Sequence, residues 1–212
     1  MNRVIKDNVN LYSRNAKRLL VGCLLLAGWS FAQEEIAPLV ISSFEGNLDA
    51  QWGGTMKGVV VSEKDPAYVK EGEQSGKWTN MSRNKWLICN DFPSDWSNHK
   101  RLVFWLYSEE ANFQQINVLV ESNGDGASGN YYIYKFNVDW KGWERVEIPF
   151  SKFSKSRDPK GWNHITKFMM TTMSYGAVPL DNTVLYLDDM RLENWKTAVL
   201  LGMRSSVGKR KV

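Results

Sequence analysis

The 212-residue chain should fold as an all-β protein, an antiparallel β-sandwich of the jelly-roll type. Three observations carry that expectation. Short alternating or apolar runs recur along most of the chain, clusters of Gly, Asn, Asp and Pro separate them, and no segment keeps a 3.6-residue apolar period over three turns. Ten short strands at this spacing are the pattern of two packed antiparallel sheets.

Each strand has its own signature. PLVISSFE (38–45) is rich in β-branched residues and ends at the loop GNLDAQWGG; MKGVVVS (56–62) holds three valines; SGKWTN (75–80) closes on turn residues. KWLICND (85–91) is a continuous apolar run of strand length, and RLVFWLYS (101–108) is longer and apolar on both faces. QINVLVES (115–122) alternates Ile116, Val118 and Val120 with more polar positions. After the loop NGDGASG, NYYIYKFNV (130–138) alternates Tyr132, Tyr134 and Phe136 with Tyr131, Ile133 and Lys135. The turn DWKG leads into WERVEIPF (143–150), where Val146, Ile148 and Phe150 share a face; Pro149 has no N–H to donate, which places it at a sheet edge or strand end. TKFMMTTM (166–173) follows the loop SRDPKGW, and TVLYLDDMRL (183–192) follows PLDN.

The two ends differ from the middle. Arg3, Lys6, Arg14, Lys17 and Arg18 precede the apolar run LLVGCLLLAGWSFA, which is short for a membrane span and closes on small residues. Residues 1–32 therefore read as a secretory signal peptide, giving a secreted or periplasmic protein; lipid anchoring at Cys23 is the weaker alternative, because only three apolar residues precede it. Residues 195–212 form a basic tail, expected to be irregular. Residues 33–194, the expected sandwich, hold 17 Lys/Arg against 22 Asp/Glu, a net charge of −5. An acidic domain is a poor partner for nucleic acid, whose phosphates supply most of the affinity. Cys89 alone remains after residue 32, so no internal disulfide forms; its apolar surroundings predict a buried, inert thiol.

Motifs for catalysis are not found. Gly124, Gly126 and Gly129 match the spacing of a dinucleotide fingerprint, but a strand pattern follows where that motif needs a helix. Glu144 and Glu147, three apart on one strand, point to opposite faces and make no acid–base pair. His99 and His164 stand apart from any metal-ligand spacing, and no serine or cysteine carries a nucleophile motif. The chain is expected not to be an enzyme in itself.

One oddity is chemical. Asp188 and Asp189 sit side by side inside the last strand pattern. A strand buries a carboxylate only with compensation, so one of the two is expected to point inward and hold something, and the other to be solvated.

Taken together, SSFEGNLDAQW (42–52), EGEQSGKWT (71–79), LVFWLYS (102–108), KGWERVEIPFSKF (141–153) and TVLYLDDMRLE (183–193) resemble, in order, the galactose-binding-like sandwiches that serve as carbohydrate-binding modules, near family 11. Such modules stand beside the catalytic domains of bacterial polysaccharide lyases and glycoside hydrolases. The resemblance implies a non-catalytic domain that binds a polysaccharide. It also implies a structural calcium ion held by Glu45, Asp188 and carbonyls near Gly76 and Lys77, with Asn47 or Asp49 as further oxygens. The alternative for Asp188 is a loop cap, or a pair with Arg191 or Lys77.

Sugars pack their C–H faces on aromatic rings while amides and carboxylates take the hydroxyls. The expected site is a concave face with Trp105, Tyr107, Asn117, Glu121 and one of Tyr131, Tyr132 and Tyr134; loop residues Trp52, Trp96 and Trp162 form the alternative, at the sandwich edge. Trp78, Trp86 and Trp143 are assigned to core or corner positions. The module is expected to act as a monomer or tethered to a catalytic domain, with no membrane span. Two other readings stand beside it: the accessory part of a lyase or hydrolase, and a structural or protein-binding sandwich with no sugar site.

Overall fold

A computed structural model describes residues 36–53 and 58–195. Residues 1–32, expected to be a signal peptide, with Cys23, and nearly all of the basic tail lie outside the described residues. Among those described, no helix is long and apolar enough to cross a membrane.

All ten expected strands form, as β1 (Leu39–Ser42), β3 (Val60–Glu63), β4 (Ser75–Trp78), β5 (Trp86–Cys89), β6 (Arg101–Ser108), β7 (Gln114–Glu121), β8 (Tyr131–Val138), β9 (Gly142–Pro149), β11 (Lys167–Thr171) and β12 (Leu185–Glu193). Two short strands, β2 (Trp52–Gly53) and β10 (Ser154–Ser156), and the one-turn helix α1 (Leu48–Gln51) occupy segments expected to be loops. Asn47 caps α1, its side chain accepting the N–H of Ala50 at 3.3 Å.

The strands make two antiparallel sheets. The first runs β3-β4-β12-β6-β9, with β1 also on β12; the second runs β10-β8-β7-β11-β5-β2. Leu102, Phe104, Leu106, Leu185, Leu187 and Ile148 of the first sheet meet Leu87, Ile116, Val118, Val120, Phe168 and Met170 of the second in one buried core. Burial of this much apolar surface, at about 25 cal/mol per Å², is the main stabilising term. Pro149 ends the edge strand β9, where no ladder partner needs its missing N–H. The glycines of NGDGASG lie in the β7–β8 connection, a hairpin loop as expected.

The paired aspartates mark a β-bulge. Leu185 and Leu187 face the core, and strict alternation would next send Asp189 and Arg191 inward. Instead the register of β12 on β6 shifts between Asp188 and Arg191, Asp189 takes a positive φ of 45°, and Met190 and Leu192 regain the core. One extra residue thus exchanges two buried charges for two buried apolar side chains. Neither aspartate enters the core between the sheets. Asp189 is not solvated either: it is half-buried and pairs with Arg191 at 2.7 Å.

Candidate functional site

Strand parity sorts the candidate side chains onto different surfaces. On β6, Trp105 and Tyr107 face away from the core, on the outer side of the first sheet; on β7, Asn117 and Glu121 face away from it on the outer side of the second. These four cannot line one site. Tyr132 is buried in the core and structural, while Tyr134 packs against it and stays half-buried. Asn117 is fully buried, its amide donating to the carbonyls of Met173 and Ser174 at 3.2 and 3.0 Å, which fixes the loop after β11.

The outer face of the first sheet is occupied by its own residues. Tyr68 stacks on Tyr186 with centroids 4.3 Å apart, Tyr107 meets both edge-on, and Lys70 lies 4.1 Å above the Trp105 ring. Rings covered in this way offer no flat face to a sugar. Trp143, expected at a core or corner position, is half-buried and edge-on to Tyr107. Beside them, Arg101, Arg145 and Arg191 neutralise Glu147, Glu193 and Asp189 in a balanced network around the buried Glu193.

The loop tryptophans are filled too. Trp52 and Trp96 are fully buried, and Trp162 is sandwiched between Tyr132 and Phe150, at 4.2 and 4.1 Å. Trp78 is in the core as expected, but Trp86 is not. Leu87 and Cys89 of β5 point inward, which turns Trp86 and Ile88 outward beside Leu119, Ile133 and Met169.

That outward cluster floors a groove across the second sheet. Two hollows of about 420 and 490 Å³ lie along it and share Tyr131 and Tyr175. Trp86, Met169, Glu121 and Lys167 line the first, with Glu121 and Lys167 3.9 Å apart. Lys135, Lys152, Ser154 and Ser156 line the second. Between them the Tyr175 hydroxyl donates to the Tyr131 hydroxyl at 2.8 Å, the rings edge-on at 5.9 Å. The Ser156 hydrogen bond holds the Tyr131 phenol below its ordinary value; burial, then the bond to Tyr131, pushes Tyr175 up to about 12. Of the expected site residues, Glu121, Tyr131 and Tyr134 line this groove. Tyr131 was legible, because Lys135 on the same side of β8 marks that side as outward. Trp86 was not, because its strand is apolar on both faces, and Tyr175 comes from a loop with no strand pattern.

A second arrangement braces the loop before β4. Asp188 Oδ2 accepts the N–H groups of Lys70 and Glu71 at 2.8 and 3.0 Å, and Glu45 Oε1 accepts those of Glu73 and Gln74 at 2.8 and 3.2 Å. Between them Gly72 has a φ of +72°, and a Cβ there would strike the Glu45 carboxylate. Asp188 is thus a loop cap, and its Oδ1 is buried without a partner. Burial pushes its pKa up to about 6 against these amide bonds. Asn47 is committed to the α1 cap, and Lys77 sits within the β4 ladder, paired to Val61 and Tyr186, with its Nζ 3.6 Å from Glu63. Among the described residues no group of three or more His, Cys, Asp or Glu side chains is placed to hold a metal.

A sequence profile described as "Carbohydrate binding domain (family 11)" matches residues 37–184. Among solved structures, the family 11 module of the cellulosomal cellulase Lic26A-Cel5E of Clostridium thermocellum is similar at 18% identity and a TM-score of 0.51, over 75% of this chain and 95% of that one. A solution structure titled with binding studies of CtCBM11 is similar at 15% identity and a TM-score of 0.54, over 76% of this chain and 98% of that one. No curated protein sequence matches significantly.

Proposed function

The chain belongs to family 11 of the carbohydrate-binding domains, and on that premise we propose that it is an exported module that holds a polysaccharide along the outer face of its second sheet. Domains of this family bind sugars and are not catalysts. The observation that carries the placement is the groove itself, where Trp86, Tyr131 and Tyr175 lie among Glu121, Lys135 and Lys167 in two linked hollows. Rings supply a surface for the C–H face of a pyranose, and the flanking charged groups bond its hydroxyls. The linked hollows suit consecutive residues of a chain better than a single sugar. The module acts as a monomer, free or tethered to a catalytic domain.

A calcium ion belongs to the same reading, held by Asp188 and Glu45. What supports it is the partnerless, buried Asp188 Oδ1 together with two carboxylates committed to one short loop. Calcium takes six to eight oxygens, so carbonyls and water must complete its shell. The ion would neutralise the buried charge and stiffen the loop, leaving the groove unchanged.

Affinity electrophoresis of the purified chain against a panel of polysaccharides, with calcium and with chelator, tests both parts. Retardation by a glycan that Trp86→Ala abolishes and Trp105→Ala leaves intact supports the groove. Chelation that lowers the melting temperature without releasing the glycan supports a structural ion. No retardation by any glycan would sink the binding reading.

A further inference from the structure

The two halves of the groove differ in charge. In the hollow with Trp86, the cation Lys167 faces the acid Glu121, whose other oxygen accepts from Asn123 at 2.9 Å. The hollow beyond Tyr131 is lined by Lys135 and Lys152, and no acid is among its described lining residues. Lys135 Nζ donates one hydrogen bond, to the carbonyl of Tyr175 at 2.8 Å, which points the ammonium at the centre of the groove and leaves donors to spare. Ser154 and Ser156 stand opposite Ile133 and Tyr131 on β10 and add hydroxyl donors to the same wall. Arg157 follows, its guanidinium against Gly129 at the rim of the first hollow.

This positive end stands out in a domain whose residues 33–194 sum to −5. No acid among the lining residues balances these two ammonium groups, and a neutral glycan would not balance them either. An anionic group on the ligand supplies that balance and takes several charge-assisted hydrogen bonds at once. The local sign also raises the concentration of a polyanion at the groove, although the whole domain repels it weakly.

Resting on the binding reading above, we infer that the module selects an acidic polysaccharide, with the anionic group of one sugar residue received by Lys135 and Lys152 while a neighbouring residue packs against Tyr131 and Trp86. Carboxylates of uronic acids and sulfate esters share this chemistry. The carboxylate or sulfate sits at the β8–β10 end of the groove, and the aromatic end takes an uncharged sugar face.

The test compares the full chain's binding to polyglucuronate, to the neutral glucan made by reducing its carboxyls, to a sulfated glucan, and to mixed-linked β-glucan. Titration calorimetry at low and moderate salt gives the affinities, with Lys135→Gln/Lys152→Gln and Trp86→Ala as variants. The expected result is roughly tenfold tighter binding of polyglucuronate or sulfated glucan than of the reduced polymer, since two partly exposed charge contacts are each worth a few-fold. That preference should shrink with salt and vanish in the double lysine variant, which loses far more affinity for polyglucuronate than for the reduced polymer. Preference for the sulfated over the carboxylated polymer keeps the inference and identifies sulfate as the source. Equal binding of polyglucuronate and its reduced form, or a double variant with wild-type affinity for the acidic polymers, overturns it while Trp86→Ala sensitivity preserves the groove. Binding of no glycan at all removes the groove reading and this inference with it.

Discussion

The carboxylate of Asp188 accepts the backbone N–H of Lys70 at 2.8 Å, tying the last strand to a loop far away in sequence. The same oxygen takes the N–H of Glu71, so one buried side chain satisfies two amides of a segment that has little regular structure of its own. The bulge makes this possible. It turns Asp188 out of the core and under the loop, where a strand without the extra residue would have carried Asp189 and Arg191 into the core.

Asp188→Ala leaves those two partly buried amides without an acceptor. The expected loss is about 2 kcal/mol, since each abandoned donor costs about 1 kcal/mol, the low end of the range for buried groups. Chemical denaturation should show it as a lower midpoint with an unchanged slope. Asp188→Asn keeps an acceptor and should lose less.

The raised pKa of Asp188, about 6, has a signed consequence for the metal-free protein. Folded protein then binds the proton more tightly than unfolded chain, whose aspartates titrate near 3.9. Its contribution is fully present below about pH 4 and is lost as pH rises through about 6, by on the order of 3 kcal/mol. In chelator, the stability difference between the wild type and Asp188→Asn should move against the wild type across that window. Bound calcium favours the ionised form and should reverse the trend, which makes the pair of pH profiles a check on the ion as well.

Gly76 permits close packing of the first sheet. A Cβ there would lie 2.6 Å from both the Phe44 ring and Val60 Cγ1, side chains held in the core. Gly76→Ala should therefore destabilise by about 1–3 kcal/mol, as overpacked core sites do. A thermal melt reads the effect; an unchanged midpoint would mean that Phe44 has room to yield.

Cys89 is buried and donates to the carbonyl of Asp91 at 3.3 Å; burial pushes its thiol up to about 12. At neutral pH the nucleophilic thiolate is scarce and shielded. A thiol reagent such as iodoacetamide should label the native protein very slowly and the denatured protein at the ordinary rate.

In the groove, removing a ring that stacks on a sugar should weaken binding roughly tenfold, in line with about 1–1.5 kcal/mol for an aromatic contact. Trp86→Ala and Tyr131→Ala should show this by calorimetry. Trp105→Ala should bind as the wild type does, because its ring serves Lys70 on the other sheet.

The sequence alone was enough for the ten main strands, though not for the short β2 and β10. Alternation with period two is a property of a few neighbouring residues, so QINVLVES and WERVEIPF announce strand and face together, and the Pro149 strand end follows from a missing N–H. The resemblance of the ordered motifs to family 11 modules rested on the same local patterns and agrees with the family match. Sidedness was another matter. In RLVFWLYS both faces are apolar, as they are in KWLIC, and the chain does not record which face another sheet will cover. Closing the sandwich buried Phe104 and Leu87 and turned out Trp105 and Trp86; contacts from elsewhere then covered one ring and left the other in a groove. The bulge was legible only in hindsight, as apolar positions at 185 and 187 that resume at 190 and 192. Tyr175 reaches Tyr131 from a loop, and Lys135 and Lys152 share a hollow although a turn and the whole of β9 lie between them. Those proximities depend on register and packing between distant segments, which only the tertiary structure sets.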